Sequence, residues 1–164
     1  MPDPITVSNT SPLYYLHQLR QLPLLHQLYG RLLVPAAVQT ELERGEKGGY
    51  SVPDLAQFPW LEVVEVHPDR FPSHGLGDGE WHALALAFQR RPDSLVILDE
   101  RAARQLAHTL GLPVVGTVGV LVQAKRQGHL ERVAPCLEAL VQARFRLHPS
   151  VAAKALQLAG EASP

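Results

Sequence analysis

The sequence predicts an α/β domain with a mostly parallel central sheet. Short apolar runs rich in β-branched residues alternate along the chain with helical patterns of apolar residues. The run Leu95 to Leu98 is apolar throughout, as expected of a central parallel strand that is buried on both faces. Such an alternation is typical of parallel strands joined by right-handed helical crossovers. The chain has 164 residues, of which 46% are hydrophobic and 19% charged, which suits one domain with a substantial core.

The first half of the chain is predicted to form three strands and three helices. Pro12 suits the first turn of the first helix, which Thr10 or Ser11 can cap. The predicted elements, in chain order, are a strand at 5–8, a helix from Pro12, a helix at 22–29, a strand at 31–34, a helix from Pro35 to Gly45, a loop at 45–59 and an edge strand at 61–66.

The second half is predicted to continue the alternation and to end in two further helices. The predicted elements are a helix from Asp78 to Gln89, a strand at 95–98, a helix at 100–110, a strand at 113–115, a helix capped by Thr117 and ending near Gly128, and helices at about 133–143 and 149–159. We therefore expect one domain over 1–164, with an α/β core at about 5–128 and C-terminal helices at 129–164.

Six polar residues are predicted to surround one crevice at the carboxyl ends of the strands, where open α/β sheets usually bind ligands. They are Asn9, Glu41, Asp78, Glu80, Asp99 and Glu100. Several carboxylates in one crevice repel one another unless a cation neutralises them or their pKa values rise. Oxygen ligands suit Mg²⁺ or Mn²⁺, either of which can activate a water for attack on a phosphodiester.

A structural explanation is available for each acidic residue taken alone. Asp78 and Glu80 in the first turn of a helix are favoured by the helix dipole, and Asp99 with Glu100 can cap the next helix. The role of the basic residues beyond the crevice is likewise undecided, because they can contact RNA phosphates or simply face solvent. These residues are Arg90, Arg91, Arg101, Arg104, Lys125 and Arg126.

Composition and missing motifs exclude several classes of protein. The net charge of −1 supplies no overall attraction for nucleic acid, so such a partner requires a local basic patch. The eight histidines lack the paired spacing of a zinc site, and no P-loop, nucleophile elbow or dinucleotide fingerprint is present. The single Cys136 and the start Met1-Pro2-Asp3-Pro4, which has no basic and apolar leader, lead us to expect a cytoplasmic protein without a membrane partner.

Several runs in a fixed order resemble the PIN domain, and above all its branch of small prokaryotic proteins of unknown function and PIN-like nucleases. The resemblance covers nearly the whole chain, from about Ile5 to Gly160. The runs are Val7 to Leu13, Leu33 to Pro35 with Val38 and Glu41-Leu42, Gly77 to Ala87, Leu98 to Arg104, and Gly111 to Leu121 with Ala124 to Arg126.

The resemblance implies a three-layer α/β/α sandwich and a ribonuclease that depends on Mg²⁺ or Mn²⁺. It also implies a homodimer and, as in many family members, a toxin held inactive by a small antitoxin protein. The four acidic positions of the family fall on Asn9, Glu41, Glu80 and Asp99, with Glu100 beside the fourth and Asp78 supplementing the third. Asn9 stands where the family usually has Asp, so the expected affinity for a metal ion is weaker. Thr117 stands near a further Asp of some members, and its hydroxyl can hold a metal-bound water or cap a helix.

Two hypotheses follow from the sequence. The first is an endoribonuclease that cleaves single-stranded RNA by a metal-activated water, leaving a 5′ phosphate. The second is an inactive PIN-like module that binds RNA or a protein, because Asn9 has replaced a charged ligand.

Overall fold

The strands form one parallel sheet whose central strand is the first in the chain. The computed structural model describes residues 4–162. The first residues of the chain, on which the expectation of no leader was based, and the two ends of the predicted 1–164 domain lie outside that range. The strand order is β3-β2-β1-β4-β5. The strands are β1 Ile5–Ser8, β2 Leu32–Pro35, β3 Leu61–Val64, β4 Ser94–Ile97 and β5 Val114–Val115.

Helices connect the strands and complete the chain, with a short 3₁₀ turn at Leu55–Gln57. The helices are α1 Thr10–Gln18, α2 Pro23–Tyr29, α3 Ala36–Lys47, α4 Asp78–Gln89, α5 Arg101–Thr109, α6 Thr117–Arg126, α7 Ala134–Gln142 and α8 Pro149–Leu158. Between residues 4 and 162, no helix has both the length and the apolar character that crossing a bilayer requires.

Hydrophobic cores lie on both faces of the sheet. Successive residues at the end of β4 alternate between them, since Val96 and Leu98, which directly follows the strand, pack with α4 and α5 while Ile97 packs on the other side. The second core collects apolar residues of α1, α2, α3, α6, α7 and α8, including the fully buried Leu16 and Leu140. This arrangement confirms the predicted three-layer α/β/α fold with a parallel central sheet.

Many predicted boundaries differ from the structure by one or two residues, and those of α1, α3 and β3 differ most. Helix α1 begins at Thr10 and its N-cap is Asn9, so the prediction that Thr10 or Ser11 caps it is wrong. Helix α3 continues through Gly45 to Lys47, because the left-handed backbone that ends it is supplied by Gly49, with φ of 94°. Strand β3 stops at Val64 instead of residue 66. It lies at the edge of the sheet, as predicted, where the exposed Glu62 pairs with Arg31 at 3.0 Å.

The C-terminal segment is held to the core by Glu161, a residue for which no role was predicted. Its carboxylate accepts hydrogen bonds from the backbone N–H of Val133 (2.7 Å) and of Ala134 (3.1 Å), at the start of α7, and pairs with Lys125 at 3.2 Å. Burial acts to raise the pKa of Glu161, but these bonds hold it below its ordinary value. Glu161 thereby positions the tail helices beside α6.

Candidate functional site

Asn9 lies between the ends of the two most central strands. Its backbone N–H donates to the Ile97 carbonyl at 3.0 Å, which places Asn9 level with the carboxyl end of β4. The residue is only 4% exposed, and its side-chain oxygen, Oδ1, is buried with no hydrogen-bond partner among residues 4–162. An unpaired buried oxygen costs free energy, so this atom is ready to accept a ligand.

Asp99 follows β4 and is held by three hydrogen bonds. Its Oδ1 accepts from the Thr117 N–H at 2.7 Å, and its Oδ2 accepts from the hydroxyls of Thr117 and Ser11, each at 2.7 Å. The prediction that Thr117 caps its own helix is wrong, because Thr117 is the first residue of α6 and Gly116 precedes it. Asp99 therefore ties the end of β4 to the beginnings of both α1 and α6.

Glu41 lies on α3, and its carboxylate binds the first residue of α1 and the start of α4. Its Oε1 accepts from the Gly79 N–H at 2.7 Å, and its Oε2 accepts from the Thr10 hydroxyl at 3.1 Å. Glu41 lines a smaller pocket with Tyr14 and Tyr50, next to the main groove. The carboxylate is thus engaged with the first turn of α4.

Glu80 lies near the negative charges of Glu100 and Glu41. Burial raises the pKa of Glu80, the charges of Glu100 and Glu41 raise it further, and a hydrogen bond with the Gly77 backbone acts in the opposite direction. Glu100 is the N-cap of α5, and its carboxylate accepts from the Ala102 N–H at 3.0 Å. Glu80 is therefore the carboxylate of this set whose ionised form is disfavoured.

A groove with a volume of about 1810 Å³ connects these residues with a basic wall. Four of the predicted site residues line it, namely Asn9, Glu80, Asp99 and Glu100. Glu41 lies in the adjoining pocket, whereas the exposed Asp78 lines neither. The basic residues of the groove are Arg101, Arg104, Arg126, Arg146 and Lys154.

The sequence anticipated only part of this basic wall. Arg101, Arg104 and Arg126 line the groove, but Lys125 is paired with Glu161, and Arg91 stacks on Phe88 at 3.5 Å at the far end of α4. Arg146 and Lys154 were missed, because the path of the tail across the sheet is set by core packing and has no local signal in the sequence.

Three of the predicted carboxylates are occupied by hydrogen bonds at helix N-termini. Within residues 4–162, no three His, Cys, Asp or Glu side chains are gathered closely enough to hold a metal ion by themselves. The reason is that Glu41, Asp99 and Glu100 each accept a backbone N–H at the start of a helix.

The site nevertheless fits a hard divalent cation. Asn9, whose Oδ1 is buried and unpartnered, lines the same groove as Glu80, and both residues carry oxygen donors of the kind that Mg²⁺ and Mn²⁺ prefer. With so few protein ligands, water has to complete the coordination of a bound ion, as is common for Mg²⁺.

Comparison with known proteins identifies the family. A sequence-family model described as a PIN domain matches residues 5–161, so the chain belongs to the PIN domain family, and the resemblance predicted from the sequence is confirmed. Membership indicates a nuclease-type function, a nucleic-acid substrate and a general dependence on divalent metal. No curated protein matches the chain significantly.

Gly79→Ala is expected to destabilise the protein, although alanine normally favours helices over glycine by about 1 kcal/mol. A Cβ atom at Gly79 would lie 2.8 Å from Glu41 Oε2 and closer still to Oε1, which displaces the carboxylate from the helix start. We expect a net loss of about 1–2 kcal/mol in the free energy of unfolding, measured by urea denaturation.

Gly45→Ala is the matched control, because a Cβ there meets Val52 at an ordinary 3.5 Å. That variant should be as stable as the wild type or more stable. If Gly79→Ala gains stability to the same extent, Glu41 is not held against α4 in the way described.

Proposed function

We propose that the protein is a metal-dependent endoribonuclease that cleaves single-stranded RNA. The observation that carries the proposal is the composition of the groove: it is lined by Asn9, which has an unpartnered buried amide oxygen, by Glu80, whose pKa is raised, and by a set of basic residues. Perturbed acids beside an open cavity are typical of functional sites.

The groove suits a polyanionic strand although the chain as a whole does not. The net charge is −1, yet the groove carries Arg101, Arg104, Arg126, Arg146 and Lys154. Such side chains contribute the sequence-independent attraction to phosphates. Apolar residues line the same space and offer surface to unpaired bases, which favours single-stranded over duplex RNA. They include Val118, Phe145 and Leu147.

The acidic wall would hold the metal. Asn9 and Glu80 are the proposed direct ligands, and Asp99, Glu41 and Glu100 hold the surrounding helix starts in place, with Asp99 and Glu100 facing the same groove. When bound, Mg²⁺ or Mn²⁺ lowers the pKa of a water and neutralises charge on the phosphate. Asn9 supplies an oxygen without charge, so we expect weaker metal binding than an aspartate would give.

A cleavage assay tests the proposal. End-labelled single-stranded RNA should be cut in Mn²⁺ or Mg²⁺, leaving 5′ phosphates, and EDTA should abolish the reaction. The same sequence in a duplex serves as the control substrate and should be cut more slowly. Cleavage that survives EDTA would contradict the proposal.

The proposal includes the toxin role, with a small antitoxin protein as partner, and a homodimer. Exposed apolar side chains on the tail helices provide surface for either contact, among them Val141, Val151 and Leu158. Expression of the chain should arrest growth, and co-expression of a neighbouring small reading frame should relieve the arrest. Sedimentation of the purified protein tests the dimer.

One observation favours the second candidate function, an inactive PIN-like module that binds RNA or a protein. The neutral Asn9 stands at the centre of a site in which no three His, Cys, Asp or Glu side chains within residues 4–162 converge on one ion. If this candidate is correct, the wild type binds no metal saturably, and Asn9→Asp confers cleavage that the wild type lacks.

A further inference from the structure

We propose that Arg104 is the phosphate-binding residue of the groove, holding one backbone phosphate of the RNA beside Asp99 and Glu80. This inference rests on the proposed function and names the residue that recognises the substrate. It starts from the fact that Arg104, alone among the groove's basic residues, has its guanidinium anchored to the end of a central strand. Its Nη1 donates to the Leu98 carbonyl at 3.1 Å.

Gly116 makes room for this guanidinium. Its φ of −98° and ψ of 176° are accessible to any residue, so the glycine is not required by the backbone. A Cβ at position 116 would lie 2.6 Å from Arg104 Nη1 and 3.1 Å from Asp99 Oδ1. Both atoms therefore border the same small space, which only a residue without a side chain leaves open.

The guanidinium of Arg104 makes few contacts with the residues that the structure describes. No ion pair within residues 4–162 includes Arg104, and its one side-chain hydrogen bond is to a neutral carbonyl. The Asp99 carboxylate borders the same space, but it makes no hydrogen bond with Arg104 and accepts three others. Arg104 is half-buried and lines the open groove, and an arginine so placed is suited to a phosphate, which a guanidinium can bind through two parallel hydrogen bonds.

The other basic residues of the groove differ in being unanchored. Arg101, Arg126, Arg146 and Lys154 are all exposed, and their side chains make no hydrogen bond or ion pair within residues 4–162. They supply a general field, whereas Arg104 supplies a fixed contact next to the acidic wall. The position of that contact would set where the strand is cut.

The test measures RNA binding in EDTA, so that neither metal nor turnover is involved. The probe is a fluorescein-labelled oligouridylate, and its affinity for the full chain is followed by anisotropy over a range of salt concentrations. Arg104→Ala should weaken binding on the order of tenfold. The slope of log affinity against log salt should fall by about 0.7, as expected for one lost phosphate contact on a single strand.

Gly116→Ala is the decisive second variant, because it keeps the charge of Arg104 but displaces the guanidinium. It should reproduce the loss seen with Arg104→Ala, and the double variant should bind no more weakly than Arg104→Ala alone. Arg90→Ala is the matched control. Arg90 lies at the C-terminal end of α4 and does not line the groove, so this variant should bind like the wild type. Circular dichroism and melting of each variant show whether it is folded, and Gly116→Ala carries the test if Arg104→Ala is not.

The inference is overturned if the folded variants bind with the wild-type affinity and slope, or if the wild type does not bind the probe. It fails alone if the wild type cleaves RNA but binding is independent of Arg104. Arg104-dependent binding by a protein that cleaves with neither Mg²⁺ nor Mn²⁺ would instead overturn the proposed function and leave this inference standing.

Discussion

Glu80→Gln should reduce metal-dependent cleavage of single-stranded RNA by a hundredfold or more, on the order of the effect of losing a residue that holds a metal. Glutamine keeps the size of the side chain but removes the charge. The free energy of unfolding should stay the same or increase, because burial and, to a lesser extent, the charges of Glu100 and Glu41 already disfavour the ionised form of Glu80. Cleavage rates and urea denaturation of the same preparation check both expectations.

Glu43→Gln is the matched control, since Glu43 is exposed on α3 and faces neither pocket. It should cleave and unfold like the wild type. Loss of stability in Glu80→Gln together with unchanged cleavage would assign Glu80 a structural role.

The raised pKa of Glu80 also predicts a dependence on pH. A protonated carboxyl group no longer attracts the cation, so Mn²⁺ affinity should fall as the pH falls through that pKa, which lies above the ordinary glutamate value of about 4.3. In the metal-free protein, the free energy of unfolding should depend on pH in the opposite direction. The stability that Glu80 contributes is fully present below its unfolded-state pKa and is lost as the pH rises through its folded-state pKa. Glu80→Gln should abolish that dependence.

Asp99→Ala should destabilise the protein by about 3 kcal/mol, the largest stability effect expected at the site. The substitution leaves the Thr117 N–H and the hydroxyls of Thr117 and Ser11 without their acceptor. Those groups join the ends of three elements, so their loss loosens α1 and α6 from β4. Urea denaturation followed by circular dichroism measures the effect.

Asp54→Ala provides the comparison, because it removes a single exposed hydrogen bond, from the Ala56 N–H at 3.1 Å. It should cost about 1 kcal/mol or less. Equal losses in the two variants would show that the bonds around Asp99 do not support the fold.

Asp99→Asn separates charge from structure at the same position. The amide oxygen can still accept from the Thr117 N–H, and the amide nitrogen can donate to either hydroxyl, since a hydroxyl both donates and accepts. We therefore expect a folded protein with a smaller loss of stability than Asp99→Ala. Cleavage should be slower, because the substitution removes a negative charge of a residue that lines the groove beside the proposed metal ligands.

Helix positions could be predicted from the sequence where the signals are local. Helix α4 begins at Asp78 and ends at Gln89 as predicted, because Gly77 precedes an acidic first turn and an apolar run. Helix α3 was misjudged at Gly45, since a glycine ends a helix only where the chain adopts positive φ, and here Gly49 does so.

The contacts within the site could not be predicted, because they join residues that are far apart in the sequence and leave no local pattern. The sequence suggested that Glu41 could reach the crevice, but not that it would bind the Gly79 N–H at the start of α4. It suggested that Thr117 caps a helix, whereas the acceptor comes from Asp99 in another element. The sequence signals that could have indicated these contacts are Gly79 and Gly116, because each glycine lies where a side chain of the site occupies the space that a Cβ would need.

The most direct test of the account is calorimetric titration of the protein with Mn²⁺. We predict saturable binding to the wild type that is lost in Glu80→Gln, retained in Glu43→Gln and strengthened in Asn9→Asp. Saturable binding that is equally strong in Glu80→Gln, or no saturable binding by the wild type, would contradict the proposal that this groove holds a divalent cation.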